Sequence, residues 1–481
     1  MKLLTLIFTL HLALANYPGI RTSINIKSLN NLKGQFIPQI LQSLTSKTLP
    51  SESFSYSALL IPCKLTLTEI VVKEATVNMT GTMFYVDPAN SQLHFLISQL
   101  NMKVEANYKY NYPIFSSGQV EANFTGADLD IPVKLYVKNG VLYSEIYKTK
   151  LDRDQVSIKL SPSGSVSKFF GFFFKYWPLH SIAQHFYKSA IENASATYSS
   201  QLSKLLGTID YNQDFTSVPI SCDYHINNIT FDSSSIQLYV NASYYLTNNP
   251  GLLSPVLPPS FLPGFSTSNS LRFQFTEYFF DSLMWAMFAS DSLTLQATSA
   301  QISKSFPFVF TTSGLNKIVP GMVTVYGPNI PVNLECSVYK IPDINIQATI
   351  SAYLSFYCDF IVMVSPSAGT AAFRLLGRLS TSFVGELSDI EDKIFLFGSF
   401  DETKTTFDSF SIVNSNIGSF NPNALQQAFN WQAYGIAIQL NRIFENQGIE
   451  MPLPKGILLS KTDIEIYAGA MEIGAEASFS F

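Results

Sequence analysis

Apolar and polar residues alternate over long stretches in the first half of the chain. Every second residue is apolar from Leu100 to Tyr110, and the same pattern covers residues 129–137. This alternation gives each strand one apolar and one polar face. It predicts antiparallel strands whose apolar face packs on a core and whose polar face meets water. These runs exceed the usual strand length of about five or six residues. The pattern therefore predicts a strongly coiled antiparallel sheet that wraps around apolar material.

Two segments of the first half have helical spacing instead. The first, residues 29–44, contains Pro38, which should mark a kink or the true first turn. The second runs from about residue 177 to residue 206. We expect the apolar faces of both helices to line a first pocket, at Ile37, Ile40, Leu41, Leu44, Phe186 and Ala190. Ordinary core packing gives the same periodicity and is the alternative for each residue.

The second half repeats this order of elements, without a repeat at the level of residues. Thr276 and Glu277 can begin a helix, alternating strands follow over residues 293–414, and a helix is predicted over residues 422–446. Residues 477–481 alternate as a closing strand. The residues expected to line a second pocket, again with core packing as the alternative, are Phe279, Leu283, Met287, Phe429, Ile436 and Leu440.

A proline-rich connector separates the two halves. Residues 249–264 contain five prolines and two glycines, which cannot form a helix interior or a central strand. The predicted organisation is a signal peptide at 1–15, an N-terminal domain at 16–245, a linker at 246–266 and a C-terminal domain at 267–481.

The composition indicates an unusual amount of apolar surface. The chain of 481 residues is 47% hydrophobic, with 39 Phe, but only 14% charged, where about 25% is typical. After the first 15 residues no segment has the roughly 20 apolar residues that a membrane-spanning helix needs. Either a very large core or an apolar cavity must hold this surface, and we expect a cavity.

Charge and motifs exclude several classes of function. Residues 16–245 hold 18 Lys and Arg against 16 Asp and Glu, and residues 246–481 hold 11 against 19. Without a basic run, no nucleic-acid partner is expected. The chain has none of the motifs G-x-S-x-G, H-E-x-x-H and G-x-G-x-x-G. We therefore expect a protein that is not an enzyme and has no cofactor or metal.

The first 15 residues are typical of a secretory signal. Lys2 precedes an apolar stretch, and residues 13–15 form a small-x-small cleavage site. A transmembrane anchor is the alternative, but the stretch is short for one. We expect a secreted, extracellular glycoprotein with acceptor sequons at Asn78, Asn123, Asn193, Asn228 and Asn241. Strand phase puts Asn78, Asn123 and Asn241 on polar faces.

Four cysteines allow three pairings in an oxidising compartment. We predict one disulfide in each half, Cys63 with Cys222 and Cys336 with Cys358. Free buried thiols are the alternative.

Several local sequences resemble a known family. Asn16-Tyr-Pro-Gly-Ile20, the proline-rich connector, Glu277-Tyr-Phe-Phe280, Ser415-Asn-Ile-Gly-Ser-Phe420 and Met451-Pro-Leu-Pro454 occur in order along the chain. They are similar to segments of the family of bactericidal/permeability-increasing protein, lipopolysaccharide-binding protein, and the cholesteryl ester and phospholipid transfer proteins. The resemblance covers essentially all of the chain after residue 15.

The resemblance implies an α+β fold: a boomerang of two elongated barrels, each a coiled antiparallel sheet with two helices, joined by a central sheet. It also implies one apolar lipid pocket in each barrel. The expected function is binding and transfer of phospholipid or another acyl lipid, with transient contact to a membrane or lipid-particle surface. The aromatic run at residues 169–177 is either such a docking tip or a buried segment.

The alternative function is a lipopolysaccharide- or lipid-sensing protein of innate immunity that has no transfer activity. Two features depart from the family. No cysteine lies between Cys63 and Cys222, so the family's disulfide to the long N-terminal helix is missing, and the N-terminal half lacks a basic tip.

Overall fold

The computed structural model is sheet-dominated, with few helices. It describes residues 19–45, 48–58, 61–112, 114–147, 150–151, 157–162, 206–207, 209–215, 218–252, 254–257, 264–265, 269–302, 309–347, 349–365, 368–390, 393–430, 441, 449–450 and 457–479. Contacts divide the chain into two compact units. The N-terminal unit is Ile24–Thr208 with Ile229–Gln237, and the C-terminal unit is Met1–Ser23, Ile209–Asn228 and Leu238–Phe481. The predicted division at residues 246–266 stays a prediction.

The described helices are α1 (Ile26–Thr45), α2 (Glu277–Ala289), α3 (Ser299–Ile302), α4 (Thr312–Leu315) and α5 (Met322–Tyr326), with a 3₁₀ turn at Glu402–Lys404. Residues 423–430 and 441 are also helical. The strands are β1 (Ile20–Asn25), β2 (Thr48–Leu49), β3 (Glu52–Ala58), β4 (Ile61–Thr76), β5 (Met83–Asp87), β6 (Gln92–Tyr112), β7 (Ile114–Lys138), β8 (Val141–Ile146), β9 (Lys150–Leu151), β10 (Ser157–Pro162), β11 (Asn212–Asp214), β12 (Ile220–Asp223), β13 (Ile226–Phe231), β14 (Ser235–Val240), β15 (Ser243–Leu246), β16 (Leu271–Thr276), β17 (Thr294–Ala297), β18 (Val332–Val338), β19 (Asp343–Ile346), β20 (Ile350–Ser365), β21 (Ala368–Ile390), β22 (Lys393–Phe400), β23 (Thr406–Ser415), β24 (Ile449–Glu450), β25 (Ile457–Tyr467) and β26 (Ala470–Phe479).

Four sheets are formed by the described strands. The N-terminal sheet has the order β10-β7-β6-β4-β2, with β3, β5, β8 and β9 paired at its sides. The C-terminal sheet has the order β17-β18-β20-β21-β22-β24, with β19 and β23 at its sides. A six-stranded sheet has the order β13-β14-β1-β16-β26-β25, and β11-β12-β15 form a small sheet. The long pairings of β6 with β7 and of β20 with β21 are antiparallel. The predicted α+β class with coiled antiparallel sheets is confirmed.

The helix predicted over residues 29–44 is α1, which includes Pro38 in its interior. The predicted start at Thr276 and Glu277 is the start of α2, but the Thr276 side chain makes no capping hydrogen bond. Its hydroxyl donates instead to the carbonyl oxygen of Gly19 at 3.1 Å. Residues 163–205 and 431–440 lie outside the described residues, so most of the two longer predicted helices is not described.

The strand β16, inside the six-stranded sheet, is buried on both faces. All six residues of β16 are buried, the polar residues Arg272, Gln274 and Thr276 as well as the apolar ones between them. The guanidinium of Arg272 donates to the carboxylate of Glu472 on the neighbouring strand β26 at 2.5 Å. Burying either charge without its partner would be strongly unfavourable. This pair therefore favours the observed pairing of β16 with β26.

Two carboxylates join α2 to the strand β19. The Glu277 carboxylate accepts the backbone N–H of Ile346 at 3.2 Å, and Asp281, one turn later, accepts a hydrogen bond from the backbone of Ile344. Burial and the negative charge of Glu277, with a further contribution from Asp343, raise the pKa of Asp281 to about 7. Asp281 therefore changes its charge near neutral pH.

Replacing Asp281 with Asn should remove a pH dependence of stability. The folded state binds the Asp281 proton more tightly than the unfolded state, so the free energy of unfolding should fall as the pH rises from about 4 to about 7. Asp281→Asn should flatten this slope and exceed the wild type in stability at pH 8, as measured by urea unfolding at several pH values. Asp291→Asn, at an exposed residue just beyond α2, is the matched control for charge. Parallel stability curves for all three proteins would contradict this assignment.

Candidate functional site

One face of the N-terminal sheet is continuously apolar, and we call it the inner face. Val72 on β4 lies opposite Val104 on β6, and Val104 lies opposite Ala122 on β7, so one row crosses three strands. The strands β4, β6 and β7 contribute many of the buried side chains of this face, including Leu65, Leu67, Ile70, Val72, Phe95, Ile97, Leu100, Met102, Val104, Phe124, Leu129 and Ile131.

Three β-bulges keep this face apolar along the length of the strands. Glu69, Gln99 and Gly126 have positive φ values of 52°, 49° and 77° on the adjacent strands β4, β6 and β7. Each bulge shifts the alternation by one residue. On β6 the buried positions are 95 and 97 before the bulge, and 100 and 102 after it. Without these shifts, half of each strand would turn its apolar side chains to the opposite face.

Side chains satisfy the backbone groups that the bulges leave without a strand partner. The backbone N–H of Gln99 donates to the carboxylate of Asp128 at 2.8 Å, and the Ser98 hydroxyl donates to the same oxygen at 3.1 Å. The N–H of Gly126 donates to the side-chain oxygen of Asn101 at 2.9 Å. Glycine suits this position because φ is positive there.

The helix α1 covers part of the inner face. Of its predicted pocket residues, Ile37 and Leu44 are buried, while Ile40 and Leu41 are half-buried. Ile37, Ile40 and Leu41 pack on the apolar cluster of the sheet. The structure therefore places these three residues on the inner face, and their role in lining a pocket stays a prediction. Phe186 and Ala190 lie outside the described residues.

Polar side chains fasten α1 to the strand β5. The side-chain amide of Asn30 accepts the backbone N–H of Phe84 at 2.7 Å and donates to the carbonyl oxygen of Phe84 at 3.0 Å. The ammonium of Lys33 donates to the carbonyl oxygen of Thr82 at 2.7 Å. Asn30 thus pairs with β5 much as a neighbouring strand would, which the sequence pattern did not predict.

Several apolar side chains that pack against the inner face are partly exposed. Val120 and Ala122 on β7 pack against the apolar cluster but are only half-buried, as are Ile40 and Leu41 on α1. Apolar side chains in a folded core are usually withdrawn from water. These four residues therefore define the candidate acyl-binding surface.

The residues predicted for the second pocket fall into two groups. Phe279 on α2 is buried, and its ring contacts Tyr244, Phe275 and Phe280 at centroid distances of 5.1 to 5.3 Å. Met287 is buried and Leu283 half-buried on the same helix. Phe429 instead packs on Phe360, Phe407 and Phe410 of the C-terminal sheet. Ile436 and Leu440 lie outside the described residues.

Phe429 belongs to a connected set of rings that we call the phenylalanine cluster. The centroid distances between neighbouring rings range from 4.2 Å for Phe360–Phe373 to 6.2 Å for Phe360–Phe429. The members of the cluster are Phe310, Phe356, Phe360, Phe373, Phe407, Phe410, Phe420 and Phe429. All except Phe420 are buried. The sequence pattern did not predict this cluster, because its members are spread over more than 100 residues.

Gly377 on β21 lets two of these rings lie against the sheet. It pairs with Phe356 on β20 and with Phe410 on β23. A Cβ atom at Gly377 would stand 2.5 Å from Cζ of Phe356 and 2.6 Å from Cε1 of Phe410. Any residue other than glycine would therefore displace the rings.

Side-chain amides hold the helical residues 423–430 and 441 to strand ends. Asn430 accepts the backbone N–H of Phe407 at 2.5 Å and donates to its carbonyl oxygen at 3.2 Å. Asn441 makes the same pair of bonds with Phe400, at 2.6 and 3.0 Å. The amide of Gln426 also donates to the carbonyl oxygen of Phe407, at 2.9 Å. This arrangement matches that of Asn30 and Phe84 on α1.

One of the two predicted disulfides is present and the other is not. Cys336 on β18 lies directly opposite Cys358 on β20, and the two are disulfide-bonded. Cys222 is a free, buried cysteine, so the predicted Cys63–Cys222 disulfide is wrong. Cys222 belongs to the C-terminal unit and Cys63 to the N-terminal unit, a separation that counting cysteines could not reveal. Burial raises the pKa of the Cys222 thiol.

The described sequons differ in exposure. Asn228 on β13 is exposed, whereas Asn78, Asn123 and Asn241 are half-buried. The Asn241 amide donates to Asp223 at 2.7 Å and to Ser243 at 2.9 Å. Asn193 lies outside the described residues. Glycosylation at these five residues stays a prediction.

A polar group on the opposite face of the N-terminal sheet was also missed. Nδ1 of the buried His94 lies 2.9 Å from the carboxylate of Asp130, and the Tyr85 hydroxyl donates to Asp130 at 3.2 Å. Burial and the charge of Asp130 raise the pKa of Tyr85 to about 12.

Among the described residues no group of three or more His, Cys, Asp or Glu could hold a metal ion. No described helix is long and apolar enough to cross a membrane.

Comparison with known proteins agrees with this architecture. Residues 247–479 match the model of the LBP / BPI / CETP family, C-terminal domain. This match identifies the second half of the chain as a C-terminal domain of that family, and it confirms the family predicted from the sequence. Among curated proteins, no sequence match to the chain was found.

A solved structure shows the same fold over nearly the whole chain. The crystal structure of lipopolysaccharide binding protein aligns with 97% of this chain and 100% of that chain, at a TM-score of 0.63 and 17% sequence identity. The structure of P47 from Clostridium botulinum A2 aligns with 96% of this chain and 97% of that chain. Its TM-score of 0.24 and its sequence identity of 9% are too low to indicate a common fold.

Two glycine substitutions should have opposite effects on stability. Gly377→Ala should destabilise the protein by roughly 1–3 kcal/mol, because the new methyl group collides with Phe356 and Phe410. Gly34→Ala on α1, where nothing lies within 4 Å of the new methyl group, should stabilise it by about 0.5–1 kcal/mol. Thermal and urea unfolding measure both. If Gly377→Ala is as stable as the wild type or more stable, the rings of Phe356 and Phe410 do not pack against this glycine.

Proposed function

We propose that this protein is a secreted lipid carrier that holds acyl chains against the inner face of its N-terminal sheet. The observation that carries the proposal is that Val120 and Ala122 on β7, and Ile40 and Leu41 on α1, pack against a buried apolar cluster but are themselves only half-buried. Membership of the second half in the LBP / BPI / CETP family supports lipid as the ligand class.

The energetics of acyl chains require such a surface. Exposing an acyl chain to water costs about 0.8 kcal/mol per CH₂ group, so a chain of about 16 carbons costs on the order of 12 kcal/mol. A carrier must replace the membrane interior with a dry apolar lining. The aliphatic residues of β4, β6, β7 and α1 can provide it, and the lipid headgroup would stay in water.

Secretion and surface contact complete the proposal. The signal-like first 15 residues and the exposed sequon at Asn228 support an extracellular glycoprotein. Lipid exchange would take place during transient contact with a membrane or a lipid particle. The described part of the chain contributes no group that we would assign to catalysis.

The carrier proposal predicts that lipid accompanies the purified protein. Protein from a eukaryotic host, extracted with organic solvent and measured by mass spectrometry, should release phospholipid or another acyl lipid in near-stoichiometric amount. Lipid-free protein that also takes up no phospholipid from vesicles would contradict the proposal. A secreted protein from the same host that has no lipid-binding site, purified and extracted in parallel, controls for carried-over lipid.

A second candidate is a sensor that binds lipid without moving it. It is favoured by the shared fold with lipopolysaccharide binding protein. Transfer of a fluorescent phospholipid between donor and acceptor vesicles distinguishes the two candidates. A carrier accelerates the transfer in proportion to protein concentration, whereas a sensor binds the lipid and leaves the transfer rate at its uncatalysed value.

A further inference from the structure

One end of the C-terminal sheet is almost free of charge. Residues 309–334, 360–373 and 409–422 contain one charged residue, Lys317, although 14% of the whole chain is charged. At this end β20 finishes and β21 begins, while β18 begins and β23 finishes beside them. Charged side chains normally stay at the surface, so a sheet end with a single charge is unusual. We call the described residues of these three segments the uncharged end.

Backbone hydrogen bonds join the three segments. The N–H of Met363, near the end of β20, donates to the carbonyl oxygen of Pro331, just before β18, at 2.9 Å. The backbone N–H of Asn416, just after β23, donates to the carbonyl oxygen of Ala372 on β21 at 2.8 Å. The side-chain amide of Asn416 donates to the carbonyl oxygen of Ala371, also at 2.8 Å. The three segments therefore form one continuous part of the structure.

Each of these segments exposes valine to solvent. The exposed fraction ranges from 50% to 60% for four side chains, those of Val309, Val325, Val364 and Val413. Within the described part of the chain, every valine with this much exposure lies at the uncharged end. Valine is among the residues that are most often fully buried in proteins. Four exposed valines on three joined segments therefore mark a contact surface.

The composition of the uncharged end fits a lipid surface better than a protein partner. The centres of protein interfaces are enriched in Tyr, Trp and Arg, and valine is under-represented among the residues that dominate binding energy. A surface that enters a phospholipid layer must avoid charge, because a charge is costly there, whereas valine enters favourably. The exposed Lys317 has a long apolar stem, so its ammonium can stay among the headgroups.

We propose that the uncharged end is the surface with which this protein docks on a phospholipid layer, with its exposed valines inserted beneath the headgroups. The inference rests on the proposed function, because lipid exchange requires transient contact with such a layer. Salt screens interactions between exposed charges but not the burial of apolar side chains. Docking through this end should therefore be independent of salt.

Flotation of the full chain with dioleoyl phosphatidylcholine vesicles, at low salt and in about 0.5 M NaCl, tests the inference. Val325→Asp and Val364→Asp each place a charge at the uncharged end, on different segments. Leu257→Asp is the matched control, because Leu257 is 70% exposed and lies in the proline-rich connector. Val364→Trp adds apolar surface at the uncharged end and reports insertion by a blue shift of its fluorescence.

The vesicle-bound fraction should fall by about tenfold or more in both aspartate variants and stay at the wild-type value in Leu257→Asp. It should be equal at both salt concentrations, and Val364→Trp should bind more tightly with a blue shift. Wild-type binding in both folded aspartate variants, or binding that is lost in high salt, would overturn the inference. So would a wild type that dimerises through this end and does not bind vesicles.

Two further measurements keep the test decisive. If circular dichroism shows that the aspartate variants are unfolded, a folded Val364→Trp with unchanged binding and no blue shift overturns the inference. Lipid extracted from the purified protein tests the carrier proposal separately. Docking that depends on the valines in a protein that holds no lipid would defeat the carrier proposal and support the docking surface.

Discussion

The apolar inner face of the N-terminal sheet depends on three bulges that keep its strands in phase. Strands as long as β6 and β7 must turn and coil, and a regular alternation of side chains would place their two ends on different faces. The bulges at Glu69, Gln99 and Gly126 correct the phase on three adjacent strands. Asp128 and Asn101 satisfy the freed backbone groups. This alignment produces the apolar inner face. The packing of α1 on that face and the candidate acyl-binding surface depend on it.

In both halves an asparagine side chain on a helix hydrogen-bonds to the backbone of a strand and holds the helix on the sheet. The two halves differ in the side chains that lie between helix and sheet. Asn30 pairs with the backbone of Phe84 in the N-terminal unit, and Asn430 pairs with that of Phe407 in the C-terminal unit. Beneath α1 lies a largely aliphatic surface, whereas Phe429 on the second helix packs on the rings of Phe407 and Phe410.

Much of the fold could be predicted from the sequence because periodicity encodes it directly. The alternation at residues 100–110 became part of β6, and the helical spacing at residues 29–44 became α1. The short helices α3, α4 and α5 were missed, since four or five residues carry too little periodicity. The pocket residues were harder, because core and pocket positions look alike in sequence. The contacts of Phe429 with Phe407 and Phe410 join residues that are distant in the sequence, so only the structure reveals them. The same holds for Cys222, which forms no disulfide.

Lipid tails should contact the inner face of the N-terminal sheet. Photo-crosslinking tests it most directly, with a phosphatidylcholine that carries a diazirine in the middle of one acyl chain and with mapping of the labelled peptides. Labels should concentrate on β6 and β7, at inner-face residues such as Val104, Val120 and Ala122. Labels confined to the C-terminal unit, or scattered over exposed residues of both units, would contradict it.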